Sequence, residues 1–442
     1  MKKVLIVSYY SPPLGTGGVN RAFKFAKYLP RFGWEPYVLT VKKVAYFQYD
    51  PEKEKEFSRI KHLRTESLDV ARISYLLLRK NGRKTADLGT SPAIARLVRF
   101  FTPIDPKSPW IPFAYASGLR LIRRENIQLI FATSPPLSSN VVGMLLARRT
   151  GLPYVADFRD PFLDVYSPPT FLHRTLLDTA FRKIKARADA ITAVTPAVVD
   201  ALGLEEAHVI ENGYDPDDMP VLSGREGEKK GFTLAYAGSL LGREFSLLPL
   251  LEAISEMEGV SLLIVGKIGE EYRKFIEDPR LSSKVEFRGY LPHREALRLI
   301  GQADALWVTQ EKKRSRKAVP SKLFEYVGLA KPILATVEGE SEIANYIEKF
   351  RLGITVRSRI PDHLPRGQGR GHGRGVQRGG GRLDGELLQP RGSTLSERAP
   401  DWRHAIAVAL GTVARHELRV QGIRRPIGLE RKREPQHRHD IH

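Results

Sequence analysis

Lys3-Val4-Leu5-Ile6-Val7-Ser8, then Tyr9 to Pro13, then Gly15-Thr16-Gly17-Gly18, is the stretch that decides the fold. Its first part is an apolar run of strand length. The Gly/Pro segment behind it leads into amphipathic residues over 19–31 that read as a helix. Strand, glycine loop and helix in that order open a doubly wound α/β domain. Met1-Lys2-Lys3 also imitates a signal peptide. The apolar stretch Val4–Val7 is too short for a secretory core, so a cytoplasmic protein is expected.

Outward from that stretch the alternation continues. Strands are expected at Pro36–Val41, Gln128–Ala132, Pro153–Asp157, Ala190–Val194 and Val209-Ile210. Helices are expected at Leu137–Arg149 and roughly 171–187, and residues 44–110 loosen into charged helical pieces. A second set follows the polar stretch Ser223–Lys230, with strands at Thr233–Ala237, Leu262–Val265, Val285–Phe287, Ala305–Val308, Ile333–Ala335 and Ile354–Val356. The pattern predicts two Rossmann-like domains, 1–205 and 231–356, joined by a linker over 206–230. Ligands in such sheets bind at the carboxyl ends of strands, which places a site in the cleft between the domains.

Charge divides the 442 residues the same way. Residues 1–205 carry net +15, residues 206–356 net −3 and residues 357–442 net +9, within a total of +21. The last part holds 17 Arg against one Lys, 13 Gly and seven of the 11 His, and Gly367–Gly381 is an Arg/Gly low-complexity stretch. Such a composition cannot bury a core, so disorder is expected there. It reads either as a polyanion-binding tail or as the product of a frame slip near Val356. Cys is absent, which excludes disulfides, Cys-ligated zinc and a cysteine nucleophile. No metal-ligand spacing appears, and His62, His173, His208 and His293 read as surface residues.

Several short motifs carry chemistry. Gly17 and Gly18 lie in the first βα turn, where backbone N–H groups can approach an anion or simply make a tight turn. Asp157-Phe158-Arg159-Asp160 follows a strand. Two carboxylates and a guanidinium crowded there must be paired, as in an Arg159–Asp bridge, or used. Asn212-Gly213-Tyr214-Asp215 reads as a turn. Gly238, Ser239 and Arg243 sit at the first βα turn of the second domain, and Arg243 is either a diphosphate ligand or a solvated loop residue. Pro320-Ser321-Lys322-Leu323-Phe324-Glu325 opens a helix. Ser321 and Lys322 then lie at the positive helix end, suited to phosphate oxygens, and Glu325 lies one turn on, where it could accept both hydroxyls of a ribose. An i,i+3 Lys–Glu surface pair is the plainer alternative.

In this order, and together with Ser134-Pro135-Pro136, Val265-Gly266, Phe287-Arg288-Gly289-Tyr290 and Lys331-Pro332-Ile333, these residues resemble the retaining GT-B glycosyltransferases of the family 4 type that build bacterial surface polysaccharides. The resemblance covers roughly residues 1–356. It implies transfer of a sugar from a nucleotide-diphosphate sugar to a saccharide or lipid-linked acceptor, in the EC 2.4 class, with no cofactor or metal required. It further implies Arg243 and Lys322 on the leaving diphosphate, Gly17 and Gly18 closing over the phosphates and Glu325 on the ribose. Asp157, Arg159 and Asp160 would frame the reacting centre. Two departures stand out: Lys317 where many members carry a first glutamate, and the tail in place of C-terminal helices.

The +15 first domain suits peripheral binding to an anionic membrane on the inner face of the cell. Arg72–Lys80 and Arg96–Phe101 alternate basic and apolar residues in the required way. Competing readings are a nucleotide-sugar epimerase of the same fold, an inactive remnant, or a polyanion-binding protein acting through the tail. Nucleic acid is not expected as a partner of the body.

Overall fold

The computed structural model describes residues 1–358, apart from 46–48, 81–99, 101, 103, 162–169, 222–230, 241–246, 270, 271, 273–275, 277, 310–316 and 318. The Arg/Gly tail lies outside the described residues from 359 on. The expected tail boundary at 357 moves: Arg357 and Ser358 belong to the last strand, and Arg357 pairs with Glu348 at 2.8 Å.

The first domain runs β1 (Lys2–Val7), α1 (Asn20–Tyr28), β2 (Trp34–Val41), α2 (Pro51–Phe57), β3 (His62–Thr65), α3 (Val70–Lys80), α4 (Ile111–Glu125), β4 (Leu129–Ser134), α5 (Leu137–Thr150), β5 (Tyr154–Phe158), α6 (Phe171–Arg187), β6 (Ala190–Ala193), α7 (Pro196–Leu202) and β7 (His208–Val209). The seven strands among its described residues are parallel in the order β3-β2-β1-β4-β5-β6-β7. β1 lies at the switch point, with Val4 beside Pro36 on one side and Leu129 on the other. Covered on both faces, it buries Val4 to Val7, and so it reads as an unbroken apolar run. The helix expected over 19–31 is shorter. Pro30 offers no N–H to an α-helical ladder, and the chain tightens into a 3₁₀ turn over Leu29–Phe32. β7 lies inside the stretch read as linker and pairs with β6.

The second domain runs β8 (Phe232–Ala237), α8 (Leu247–Glu256), β9 (Val260–Val265), α9 (Pro279–Ser282), β10 (Val285–Phe287), α10 (His293–Ile300), β11 (Ala305–Thr309), α11 (Ser321–Gly328), β12 (Ile333–Glu338), α12 (Glu342–Lys349) and β13 (Gly353–Ser358). Its parallel order is β10-β9-β8-β11-β12-β13, with β8 at the switch point. Separate apolar clusters fill its two faces, one around Leu234 and Trp307 and one around Leu306 and Tyr326. Both domains are Rossmann-like and doubly wound. The chain crosses between them along α1: Asp215 takes Lys24, Lys27 and Tyr28, and Asp218 takes Lys24. Burial alone would raise the Asp215 carboxyl. The two ammonium groups and the phenol more than offset it and hold the group well below the usual carboxylate range.

Candidate active site

The loops at the carboxyl ends of β1, β4 and β5 face the second domain's β11 loop and α11 across a cavity of about 1050 Å³. Gly17, Gly18, Arg159 and Asp160 line it from the first domain, and Ser321 and Lys322 from the second. The structure therefore gathers six of the sequence-predicted residues around one space. Tyr10, Arg21 and Thr309 line it too and carried no signal in the sequence reading.

The Asp157–Asp160 loop divides into two roles. Asp157 is fully buried beneath the cavity. Its carboxylate accepts from Arg21 Nε at 3.0 Å and Nη2 at 2.8 Å, from Thr133 Oγ1 at 2.7 Å and from Thr192 Oγ1 at 2.6 Å. Its ionic partner is thus Arg21, not the Arg159 that chain proximity suggested. Arg159 donates to three carbonyls instead: Ser134 O at 3.2 Å, Pro135 O and Gly18 O. That guanidinium ties the β1 glycine turn to the β4 loop. Asp160 faces the cavity, and burial pushes its carboxyl up against the pull of Arg159.

On the other wall, Pro320 precedes α11 and gives it no side-chain cap, while its carbonyl accepts from Leu323 N at 3.0 Å. Gly17 meets this end directly: a Cβ on it would lie 2.3 Å from Ser321 Oγ. Lys322 folds over the end of β8. Its Nζ lies 4.1 Å from the Tyr236 ring centroid, and a Cβ on Gly238 would come within 2.6 Å of it. Gly238 has φ 146°, a conformation that L residues rarely adopt. Ser239 follows it, half-buried. Arg243 lies outside the described residues.

Glu325 sits one turn behind Lys322 and does not line the large cavity. Its Oε1 lies 3.5 Å from Asn20 Nδ2 and 3.6 Å from His293 Nε2. Burial raises its carboxyl to about 7, against the pull of Lys53 and Lys322. The reading of four surface histidines is corrected at two of them. His173 is buried, with Nε2 against Phe100 O at 2.6 Å. His293 is held between Glu325 and Asp218, and desolvation with Lys53 nearby lowers its imidazole to about 3. The sequence offered little signal for this, because apart from the adjacent Arg294 the charges around His293 come from α1, α2, α11 and the crossover. Among the described residues, no three His, Asp or Glu side chains form a metal-binding group.

Residues 15–218 match the family model described as Glycosyltransferase Family 4. No curated protein matches the chain. Among solved structures, the chain is similar to Anabaena HepE in complex with UDP, at 15% identity and TM-score 0.52, covering 96% of this chain and 100% of that one. It is also similar to sucrose-phosphate synthase from Thermosynechococcus elongatus, at 12% identity and TM-score 0.54, covering 96% of this chain and 98% of that one. Two parallel-sheet domains facing a cleft, with these likenesses, give the chain the GT-B fold.

Proposed function

We propose that this protein is a retaining glycosyltransferase that moves a sugar from a nucleotide-diphosphate sugar to a saccharide or lipid-linked acceptor. The observation that carries the reading is the opposed pair at the cleft: the uncapped N-terminus of α11, with Ser321 and Lys322, faces the Gly17 turn of the other domain. A helix N-terminus and an ammonium group are suited to a diphosphate. In sugar transfer, negative charge develops on the departing diphosphate, and fixed positive groups stabilise it without reorganising. Lys322 and the α11 N-terminus take that part, joined by Arg243. Gly17, without a side chain, lets its turn close on Ser321, and Gly17 and Gly18 close over the phosphates. Glu325 receives the ribose, and Arg159 and Asp160 shape the acceptor side, with Asp157 bracing them from below. In this reading no metal is required. The family 4 match over residues 15–218 and the fold shared with a UDP-bound protein support the choice of donor class.

We place the protein on the inner face of the cell membrane. No helix of the described residues is long and apolar enough to cross a membrane. On α3, however, Leu76 and Leu77 are 46% and 60% exposed, and at the start of α6 Phe171 is 86% exposed. Apolar side chains displayed on a basic domain suit an anionic bilayer surface. Arg72 does not serve as a headgroup cation, because it is buried against Glu66 and Lys43 O. Of Arg96–Phe101, only Phe100 is among the described residues.

The test is a transfer assay with UDP- and GDP-sugars in the presence of EDTA, with product configuration read by NMR. Retained turnover with an unchanged anomeric configuration is the expected outcome. No binding or turnover with any nucleotide sugar would overturn the reading, and inversion or a strict metal requirement would overturn that part of it.

A further inference from the structure

Glu325 is approached from both domains. His293 reaches it from α10, and Asn20 reaches it from the first domain at 3.5 Å. The other end of the Asn20 amide, Oδ1, accepts from Lys53 Nζ at 2.9 Å. This pairing fixes the amide. Turned over, its NH₂ would meet the ammonium and its oxygen would meet the carboxyl.

Lys53 itself is unusual. It sits in the first turn of α2 and is 5% exposed. Among the described residues, the amide oxygen of Asn20 is the hydrogen-bond partner of its ammonium. A buried ammonium bonded to an amide oxygen is unfavourable on its own. Burial pulls the ammonium below the usual lysine range, and the field of nearby carboxylates, with Glu325 first and Asp50 next, opposes that pull in part. The effect is reciprocal: Lys53 is the largest influence opposing the desolvation of Glu325. The other groups facing Glu325 are Lys322 on its own helix, Lys24 on α1, Asp218 on the crossover and His293 on α10. A ribose hydroxyl pair needs an acceptor, and a protonated carboxyl gives up part of that capacity.

We propose that Lys53 is a positioning residue for the donor: acting across the cleft through Asn20, its ammonium orients Glu325 and favours it as the acceptor of the ribose hydroxyls. The inference rests on the donor reading above. It means that the nucleotide site is completed by the first domain and exists in full only when the two domains are closed.

The experiment is calorimetric titration of UDP-glucose, whose diphosphate diester does not change charge in the range, from pH 6 to 8.5. The wild type is compared with Lys53→Met, Lys53→Gln, Glu325→Gln and Lys53→Met/Glu325→Gln. In the wild type, affinity rises as pH passes through about 7. In Lys53→Met the midpoint moves up by about one unit, so binding at pH 7 weakens about fivefold and recovers towards pH 8.5. Lys53→Gln, which keeps a donor for Asn20 without the charge, shows the same shift and guards against a folding defect. In the Glu325→Gln background the profile is flat, and the change at Lys53 has less than a twofold effect. An unmoved midpoint, or a loss that is equal at every pH and persists in the Glu325→Gln background, overturns the role of Lys53 while leaving the donor reading intact. Failure of the wild type to bind any nucleotide sugar overturns both.

Discussion

Ser321 Oγ occupies the place where a side chain on Gly17 would begin: the position of a Cβ on Gly17 is 2.3 Å from that oxygen. The two residues belong to different domains, and each stands at a phosphate-suited end, one in the β1 turn and one at the start of α11. Their approach is possible only because residue 17 has no side chain.

Gly17→Ala therefore displaces the Ser321 hydroxyl rather than the fold. A serine hydroxyl can rotate, so the stability loss stays within about 1 kcal/mol, while UDP-glucose binding weakens. In Gly17→Ala/Ser321→Ala the nearest remaining atom is Cβ of residue 321, 3.5 Å away, an ordinary contact. The double variant is then no weaker than Ser321→Ala alone. Calorimetry on the three variants checks this, and wild-type affinity in Gly17→Ala would take the contact out of the site.

Lys322→Ala removes the one described cation placed both at the α11 N-terminus and over the Gly238 turn. If it stabilises the leaving diphosphate, turnover falls by about 3–4 kcal/mol in barrier, a few hundredfold or more, through kcat. The folded state loses a contact with the Tyr236 ring and a hydrogen bond to the Tyr236 hydroxyl, together about 1–2 kcal/mol. Steady-state kinetics together with a melting curve separate the two effects. Full turnover by the folded variant would remove Lys322 from the mechanism.

Asp157→Ala acts through the fold. The substitution leaves the Arg21 guanidinium buried without its partner, and removing one member of a buried pair costs about 3–5 kcal/mol. Arg21→Ala has a similar cost, and the double variant falls well short of the sum. Denaturant titration measures all three. An Asp157→Ala protein as stable as the wild type would show that the pair contributes nothing to stability and would return Asp157 to the chemistry.

What the sequence revealed and what it hid divide along physical lines. Buried parallel strands such as β1 and β9 must be apolar along their length, so they were legible. β3 is a four-residue edge strand, His-Leu-Arg-Thr, with one fully buried side chain, and it left no apolar run to find. The glycine turn and Ser321-Lys322 were legible because βα turns and helix N-termini have local signatures. The Arg21–Asp157 pair spans 136 residues, and the sequence offered only the nearer Arg159 as one possible partner. His293 lay in a polar-looking helix start, and residues distant in sequence enclose it: Asp218 on the crossover, Glu325 on α11 and Lys53 on α2.

Glu325 gives the last prediction, and its sign follows from protonation. Unfolded, a glutamate titrates near its ordinary value, below 5. Folded, burial raises this one to about 7. Between those values the native state holds a proton that the unfolded chain has lost, so stability falls as pH rises through this range and levels off above it. The contribution is fully present below the unfolded value and is lost as pH passes through about 7; it amounts to about 3 kcal/mol. Glu325→Gln mimics the protonated form at every pH. Relative to the wild type, it is therefore unchanged near pH 4.5 and increasingly stabilised towards pH 8, in unfolding titrations of the ligand-free protein. A stability difference that does not grow between pH 5 and 8 would mean that Glu325 is ionised without cost in the folded state. The clasp formed by Asn20, Lys53 and His293 would then hold the carboxylate as strongly as water does.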